Sequence, residues 1–395
     1  MLADRTLGLT LRDRVRFGRG TIRELPALVH EAGGPAARAF IVSDPGVVAS
    51  GVVATAAAVL ADAGVETRLF GAVEPNPGTT VVERGGSDLR TFGIDHVVVV
   101  PVGGGSSMDT AKAMSLYATN SVRAAELGYD NEALTPGLPV IAVPTTAGTG
   151  AETNSYGVIT DEAAQRKDYI GHPSLLPIAC ILDPDLTVCL PPAATAATGI
   201  DAMTHSLESL LSRNPNPFAE AMALQVIRTV SAYLPRAVAD GTEMEARSQM
   251  LLASHLAGIG QASGTGVGLV HAIGHAIGTR GRLPHGLALA VVLPEVLAFY
   301  ADEPGLRDRE LAFIGVALRA ASPTEDPATA AAAAIGALRA FLAQMGQRPT
   351  LRSLGFDEAL LDVVAQDAID DAAIHNSPRL PTLEQARAIL ESVAR

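Results

Sequence analysis

The stretch GLVHAIGHAIGTRGRLPHG, residues 268–286, holds three of the chain's nine histidines among Gly, Ala and aliphatic residues. On a helix, His271 and His275 share one face about one turn apart. Pro284 and Gly286 place a helix break around His285. Upstream, GIDAMTHSLES carries a second pair at the same spacing, Asp201 and His205. Imidazole and carboxylate are ligands for divalent metals, and two helices each presenting a pair, plus one further histidine, can surround one ion. Imidazoles buried without partners are costly, and a metal satisfies several at once. The bland alternative makes Asp201 and His205 a local side-chain pair. A lone histidine bonded to a carbonyl is the reading that suits His30, His96 and His255. The residue after His271 is Ala272, so the general-base Glu of an HExxH protease is absent.

Other elements must bring a reactant to such a site. In VVVVPVGGGSSMDTAKAM (97–114) a strand runs into glycines and then a helix. Gly103, Gly104 and Gly105 let backbone N–H groups approach an anion, with Ser106 or Ser107 expected as the helix cap. A second turn, PTTAGTGAE (144–152), also follows a strand and offers Thr145, Thr146 and Thr149. Neither turn matches GxGxxG, and each alone reads equally well as an ordinary tight turn. Two turns at the C-terminal ends of neighbouring strands are where open sheets bind ligands. Asp44 ends the strand in FIVSDPG. An acid there accepts an adenosine ribose 2′-OH and favours NAD over NADP; its alternative is a turn or cap before Pro45.

Up to residue 187, β-branched runs such as AFIVSD (39–44), HVVVVPV (96–102) and PVIAVPTT (139–146) alternate with helical patterns such as VVATAAAVLADAG (52–64). This grammar predicts an α/β region up to about residue 187, with a parallel sheet covered on both faces. Beyond LPPAATAATG (190–199) only helical periodicity remains, so the second half is expected to be helical. A chain of 395 residues exceeds one compact core. Its 48% hydrophobic and 18% charged content is that of a packed globular protein. The net charge of −13 argues against nucleic-acid or membrane-surface partners. No apolar run reaches about 18 residues, and MLADRTLGLTLRDRVRFG shows no apolar signal region. Cys180 and Cys189 form neither a CxxC pair nor half a zinc site, and a reducing, cytoplasmic setting is expected.

GGGSSMDTAK, PTTAGTGAE, DAMTH, GLVHAIGH and PHGLALAVVLP, in this order, resemble the iron-containing (group III) alcohol dehydrogenase family. VRFGRGTIREL, VEPNPG and KDYIGHPSLLPIACILDPDL also fit, so the resemblance spans about residues 15 to 300. It implies a dehydroquinate synthase-like architecture, with an α/β, Rossmann-like nucleotide-binding domain over 1–187, an all-α metal-binding and substrate domain over 188–395, and Asp201, His205, His271 and His285 as metal ligands. His275 then matches an extra histidine that faces nicotinamide and substrate without binding metal. Dinucleotide contacts carry over to Asp44, Asn76, Gly103, Gly104, Gly105, Ser106, Asp109, Thr145, Thr146, Thr149 and Lys167, the last near the nicotinamide ribose. The implied ion is Fe(II), with Zn(II) suited to the same ligands; the implied nucleotide is NAD, with NADP open. The implied reaction is hydride transfer between nicotinamide and a small primary alcohol or aldehyde, His275 relaying the proton, in a homodimer or larger homo-oligomer. Glycerol dehydrogenase-like and dehydroquinate synthase-like NAD/Zn enzymes are the rivals on this scaffold, and the DAMTH and HAIGH–PHG spacings favour the alcohol dehydrogenase branch. In TRGRLP, Arg280 and Arg282 are candidates to receive an anionic group on the substrate aldehyde, against the alternative of solvated or salt-bridged arginines. Asp109 and Glu208 are open to a supporting role as helix-terminus or second-layer carboxylates. Ser377 in NSPR is an insertion relative to the family's Asn-Pro-Arg and is given no role.

Overall fold

The computed structural model describes Leu7, Leu9, Leu11 and residues 14–164 and 166–395; most of the N-terminal stretch read above for a signal lies outside them. The chain divides into two units, Leu11–Leu190 and a second that contains Pro191–Arg395.

Among the described residues of the first unit eight strands form: β1 (Val15–Phe17), β2 (Arg38–Val42), β3 (Glu66–Phe70), β4 (Val97–Gly103), β5 (Ile141–Pro144), β6 (Tyr156–Asp161), β7 (Arg166–Gly171) and β8 (Ala179–Leu182). Six of them make a parallel sheet in the order β1-β8-β5-β4-β2-β3. The valine run of β4 is buried along its whole length. Successive residues leave the pleat on opposite sides. Ala39, Ile41, Val98 and Val100 therefore join one core with helices α1 (Leu25–Gly33) and α3 (Val52–Asp62), which follows the short α2 (Pro45–Ala49). Phe40, Val42, Val97 and Val99 join another with α4 (Thr79–Phe92) and α5 (Gly105–Thr119). A strand that must satisfy two cores has no polar face, which is why its sequence is continuous rather than alternating.

The antiparallel pair β6–β7 stands outside that sheet. It was not anticipated: RKDYIG is half polar and only its last two residues are buried. The hairpin seats on α5 because Gly157 has no side chain; a Cβ there would fall 2.6 Å from the Asp109 carbonyl oxygen.

Among its described residues, the second unit contains no strand. Its principal helices are α6 (Pro192–Leu211), α7 (Pro217–Ala239), α8 (Met244–Gly260), α9 (Leu269–Gly281) and α10 (His285–Ala301), followed by further helices that include Pro327–Gln344, Leu361–Asp370 and Leu383–Ala394. Starts follow local chemistry. Asn216 caps α7 through the Phe218 N–H, and Asp326 caps the alanine-rich helix through the Thr329 N–H with Pro327 in the first turn. Small residues let helices approach closely. A Cβ on Gly274 would lie 2.5 Å from Leu289, and one on Gly286 only 2.1 Å from the Ala197 carbonyl oxygen. No single described helix is long and apolar enough to cross a membrane.

Candidate active site

Three helices of the second unit converge. α6 contributes Asp201 and His205, α9 contributes His271 and His275, and His285 is the first residue of α10 after Pro284 at its N-cap. Asp201 is the hub. Its Oδ1 lies 3.6 Å from His205 Nδ1, 3.4 Å from His271 Nε2 and 3.7 Å from His285 Nε2. One ligand atom each from Asp201, His271 and His285 fits within a mutual 4.8 Å. The His205 ring stacks on His271 with centroids 4.7 Å apart. His275 lies against the same group, 5.8 Å from His271 and 5.4 Å from His285 by ring centroid.

The arrangement fits a divalent ion. Asp201 Oδ1 and His271 Nε2 are buried, yet neither completes a hydrogen bond of good geometry; they face each other across 3.4 Å. A cation among these atoms supplies the partner that burial demands. Imidazole nitrogens with one carboxylate oxygen form a borderline donor set that suits Fe(II) or Zn(II) better than Mg(II) or Ca(II).

Glu208, one turn beyond His205, braces this group. Its Oε2 takes the His271 Nδ1 proton at 2.5 Å, and its Oε1 accepts the Val270 N–H at 2.8 Å, the open first turn of α9. With Nδ1 committed, the His271 Nε2 is the atom turned to Asp201. Burial alone would lower the His271 pKa, but Glu208 and Asp201 on its two sides push it up to about 9. Burial likewise opposes the Asp201 carboxylate, and His205, His271 and His285 still hold its pKa below the usual range. The two carboxylates thus favour the charged imidazole, and an ion entering the site would compete with a proton for Nε2. Glu208→Gln retains an oxygen for the α9 turn but loses the anionic acceptor for Nδ1. Metal affinity is expected to fall about 10- to 100-fold in a chelator-competition titration; an unchanged dissociation constant would remove the bracing role.

In the first unit, the nominated nucleotide contacts gather at the C-terminal ends of adjacent strands. Asp44 follows β2, Gly103 ends β4, and Thr145 follows β5. The chain leaves β2 towards β3 on one side and β4 towards β5 on the other, so this edge holds a topological switch point. The two turns touch. A Cβ on Gly104 would meet Thr146 at 3.1 Å and one on Gly105 would meet Thr149 at 2.7 Å. The cap expected from Ser106 or Ser107 is not made. Gly104 occupies the N-cap of α5 without any side-chain cap bond, because the helix starts at Gly105, two residues earlier than a Ser106 cap requires. The start of α5 thus carries no side-chain cap, and an uncapped helix start is a geometry that can receive an anion. Ser107 instead turns its hydroxyl to Asp44 Oδ2 at 3.5 Å.

Asp44 does cap α2: its Oδ1 accepts from Gly46 and Val47, leaving Oδ2 towards the glycine turn. Asn76 is exposed with a left-handed φ of 50°, and the adjacent Pro77 carbonyl accepts the Thr160 N–H of β6 at 2.8 Å. Lys167, cross-strand from Thr160, is near enough to Asp109 to lower that group's pKa. Asp109 accepts the Val158 N–H at 3.2 Å, so at least one oxygen serves the hairpin. Burial raises its pKa to about 6 against the pull of Lys112.

Two residues were missed from sequence. Lys112 is fully buried, and its ammonium donates to Ala151 O, Asn154 Oδ1 and Tyr156 O at 2.5–2.8 Å, pinning the threonine turn to α5. Its signal was the Asp109–Lys112 spacing of three within one helix. Asp371 binds His275 Nδ1 at 2.9 Å from 96 positions away, with no local pattern to announce it. Arg280 meets its bland alternative. Nε and Nη2 both bind Asp367, at 2.6 and 3.1 Å, so the guanidinium fork is already engaged. Arg282 is exposed, with a left-handed φ of 52° at the end of α9.

The family model described as iron-containing alcohol dehydrogenase matches residues 13–184. The model described as Fe-containing alcohol dehydrogenase family, C-terminal, matches 195–394. NAD-dependent methanol dehydrogenase of Bacillus methanolicus is 34% identical over 378 residues, 95% of this chain and 97% of that protein. Lactaldehyde reductase of Escherichia coli (strain K12) is 35% identical over 382 residues, 95% and 96% of the two chains. The crystal structure of a 1,3-propanediol oxidoreductase superposes with a TM-score of 0.91 at 33% identity, covering 98% of this chain and 100% of that one. Fold and relatives together define an oxidoreductase of alcohols or aldehydes. The chain belongs to the iron-containing alcohol dehydrogenase family.

Proposed function

We propose that the protein is a metal-dependent, NAD-linked dehydrogenase of small primary alcohols, or reductase of the matching aldehydes, with Fe(II) as its ion. In this reading residues 1–187 hold the dinucleotide and 188–395 hold metal and substrate. The observation that carries it is the convergence of Asp201, His271 and His285 on one point, with His205 stacked beside them and two buried polar atoms lacking hydrogen bonds. Asp201, His205, His271 and His285 would hold the ion. Bound there, the ion supplies Lewis acidity towards the substrate oxygen, and the nicotinamide takes or gives the hydride. The chain's own part is positioning and proton movement. Three neutral imidazoles and one carboxylate leave a divalent ion a net single positive charge, and Glu208 keeps His271 in the tautomer that presents Nε2. His275 touches the substrate and carries its proton, a task suited to imidazole near neutral pH. The uncapped start of α5 receives the pyrophosphate, with Gly103, Gly104, Gly105, Ser106, Thr145, Thr146 and Thr149 around it; Asn76, Asp109 and Lys167 complete the dinucleotide contacts.

With Arg280 bound to Asp367, no anion receptor is assigned, and a neutral short aldehyde is the expected substrate. The test is NADH formation or consumption with a panel of short alcohols and aldehydes on iron-loaded and chelated protein. Turnover confined to loaded protein supports the reading; turnover surviving chelation would sink it. Asp44→Gly removes both the ribose acceptor and the α2 cap. It should raise the ratio of NADP to NAD kcat/KM by about tenfold or more, the effect of at least one hydrogen bond to a charged group. An unchanged ratio would reject Asp44 as the selector.

A further inference from the structure

The two histidines on the inward face of α9 are built alike. Each commits Nδ1 to a carboxylate from a different element: His271 to Glu208 and His275 to Asp371. Glu208 serves the metal group, whereas Asp371 is not among the residues clustered around Asp201. The environment of Asp371 shows why its carboxylate points one way. Oδ1 accepts the Ala373 N–H at 2.8 Å and so caps the turn Ala372–Asn376. That turn is tied down at its far end. Asn376 donates to Val267 O at 3.0 Å and accepts the Arg213 N–H at 3.0 Å, and Arg213 Nε binds Ser377 O at 3.0 Å. One oxygen is fixed by the backbone, so the other is held in place for the imidazole, 2.9 Å away, with both side chains largely buried.

We propose that Asp371 is a positioning residue for the reaction: it locks His275 in the Nδ1–H tautomer, so that the lone pair lies on Nε2 and that atom alone exchanges a proton with the substrate hydroxyl. In alcohol oxidation the hydroxyl proton passes to Nε2 as hydride leaves the carbinol carbon for the oxidised nicotinamide. The ring then carries protons on both nitrogens beside a carboxylate that offsets its charge. In aldehyde reduction the same proton returns from Nε2 to the substrate oxygen. A histidine without Asp371 populates both tautomers, and the Nε2–H form cannot accept the proton. This inference rests on the reading that His275 touches substrate.

Asp371→Asn keeps the size and offers its amide oxygen to the Ala373 N–H, but turns an N–H₂ group towards His275 and favours the wrong tautomer. Using propanal with NADH and propan-1-ol with NAD on iron-loaded protein, kcat is expected to fall about 100-fold or more. KM for the nucleotide, metal content and melting temperature should stay near those of the parent. In a His275→Ala background the same substitution should cost nothing further, because it acts only through the ring. A second measurement needs no folded variant of Asp371. Nitrogen-15 spectra of histidine-labelled, zinc-loaded parent protein, assigned by the signal missing in His275→Ala, should show Nδ1–H. A parent-like kcat for Asp371→Asn, an equal loss in both backgrounds, or Nε2–H in the parent would each overturn the proposal. A His275→Ala variant with full kcat would instead sink the proton-carrying role of His275, while the nitrogen spectra still report whether the pair exists.

Discussion

Replacing His271 with alanine is expected to abolish metal binding and lower turnover by about a thousandfold or more, while dinucleotide affinity stays unchanged. The size follows from the several kcal/mol that a Lewis-acid metal supplies to a developing oxyanion. The substitution removes the ring that stands between Asp201 and Glu208, both almost fully buried. Two carboxylates would then share a cavity without their intervening imidazole, a costly arrangement that also raises their pKa values and weakens Asp201 as a ligand. Nucleotide binding should be spared because every residue assigned to it lies in the Leu11–Leu190 unit. Metal content by elemental analysis, NAD titration and turnover separate these effects. Full activity in His271→Ala would end the metal reading of the α9 histidines.

Gly286→Ala is the largest effect expected from a residue that carries no chemistry. The added methyl would fall 2.1 Å from the Ala197 carbonyl oxygen and 2.6 Å from its carbon. Both are backbone atoms inside α6, so no side chain can rotate away. α10 must move off α6, at a cost near the upper end for overpacking, about 3 kcal/mol. A drop of about 6–12 °C in melting temperature is expected for a unit of this size. His285 sits next to Gly286, and Ala197 lies one turn before Asp201, so the same displacement separates two metal ligands. Metal affinity should therefore fall along with stability. Serine in place of alanine should behave no better, whereas a variant with parent-like melting and metal content would show that the contact between the helices is not tight.

The valine run of β4 was legible because a strand buried on both faces has no room for polar residues. The histidine spacing of α9 was legible because four positions make one helical turn. β3 and β7 were not, since ETRLF and RKDYIG mix polar and apolar residues in strands that lie at an edge or in a separate hairpin. The serine cap on α5 failed for a similar reason: the glycine at the cap position is what exposes the helix start, and sequence alone does not fix a helix boundary to one residue. Glu208 could be placed on the face of Asp201 and His205, but its bond to His271 needs the crossing of two helices. Asp371 required the fold outright, because a carboxylate that orients a histidine need only be near it in space.

One divalent ion is expected to be shared by α6, α9 and α10. Anomalous diffraction recorded on either side of the iron edge, from crystals grown with Fe(II), tests it most directly. A single peak within about 2.3 Å of Asp201, His205, His271 and His285 is the expected result. Fully loaded protein with the peak elsewhere, or with these four side chains turned away from it, would contradict it.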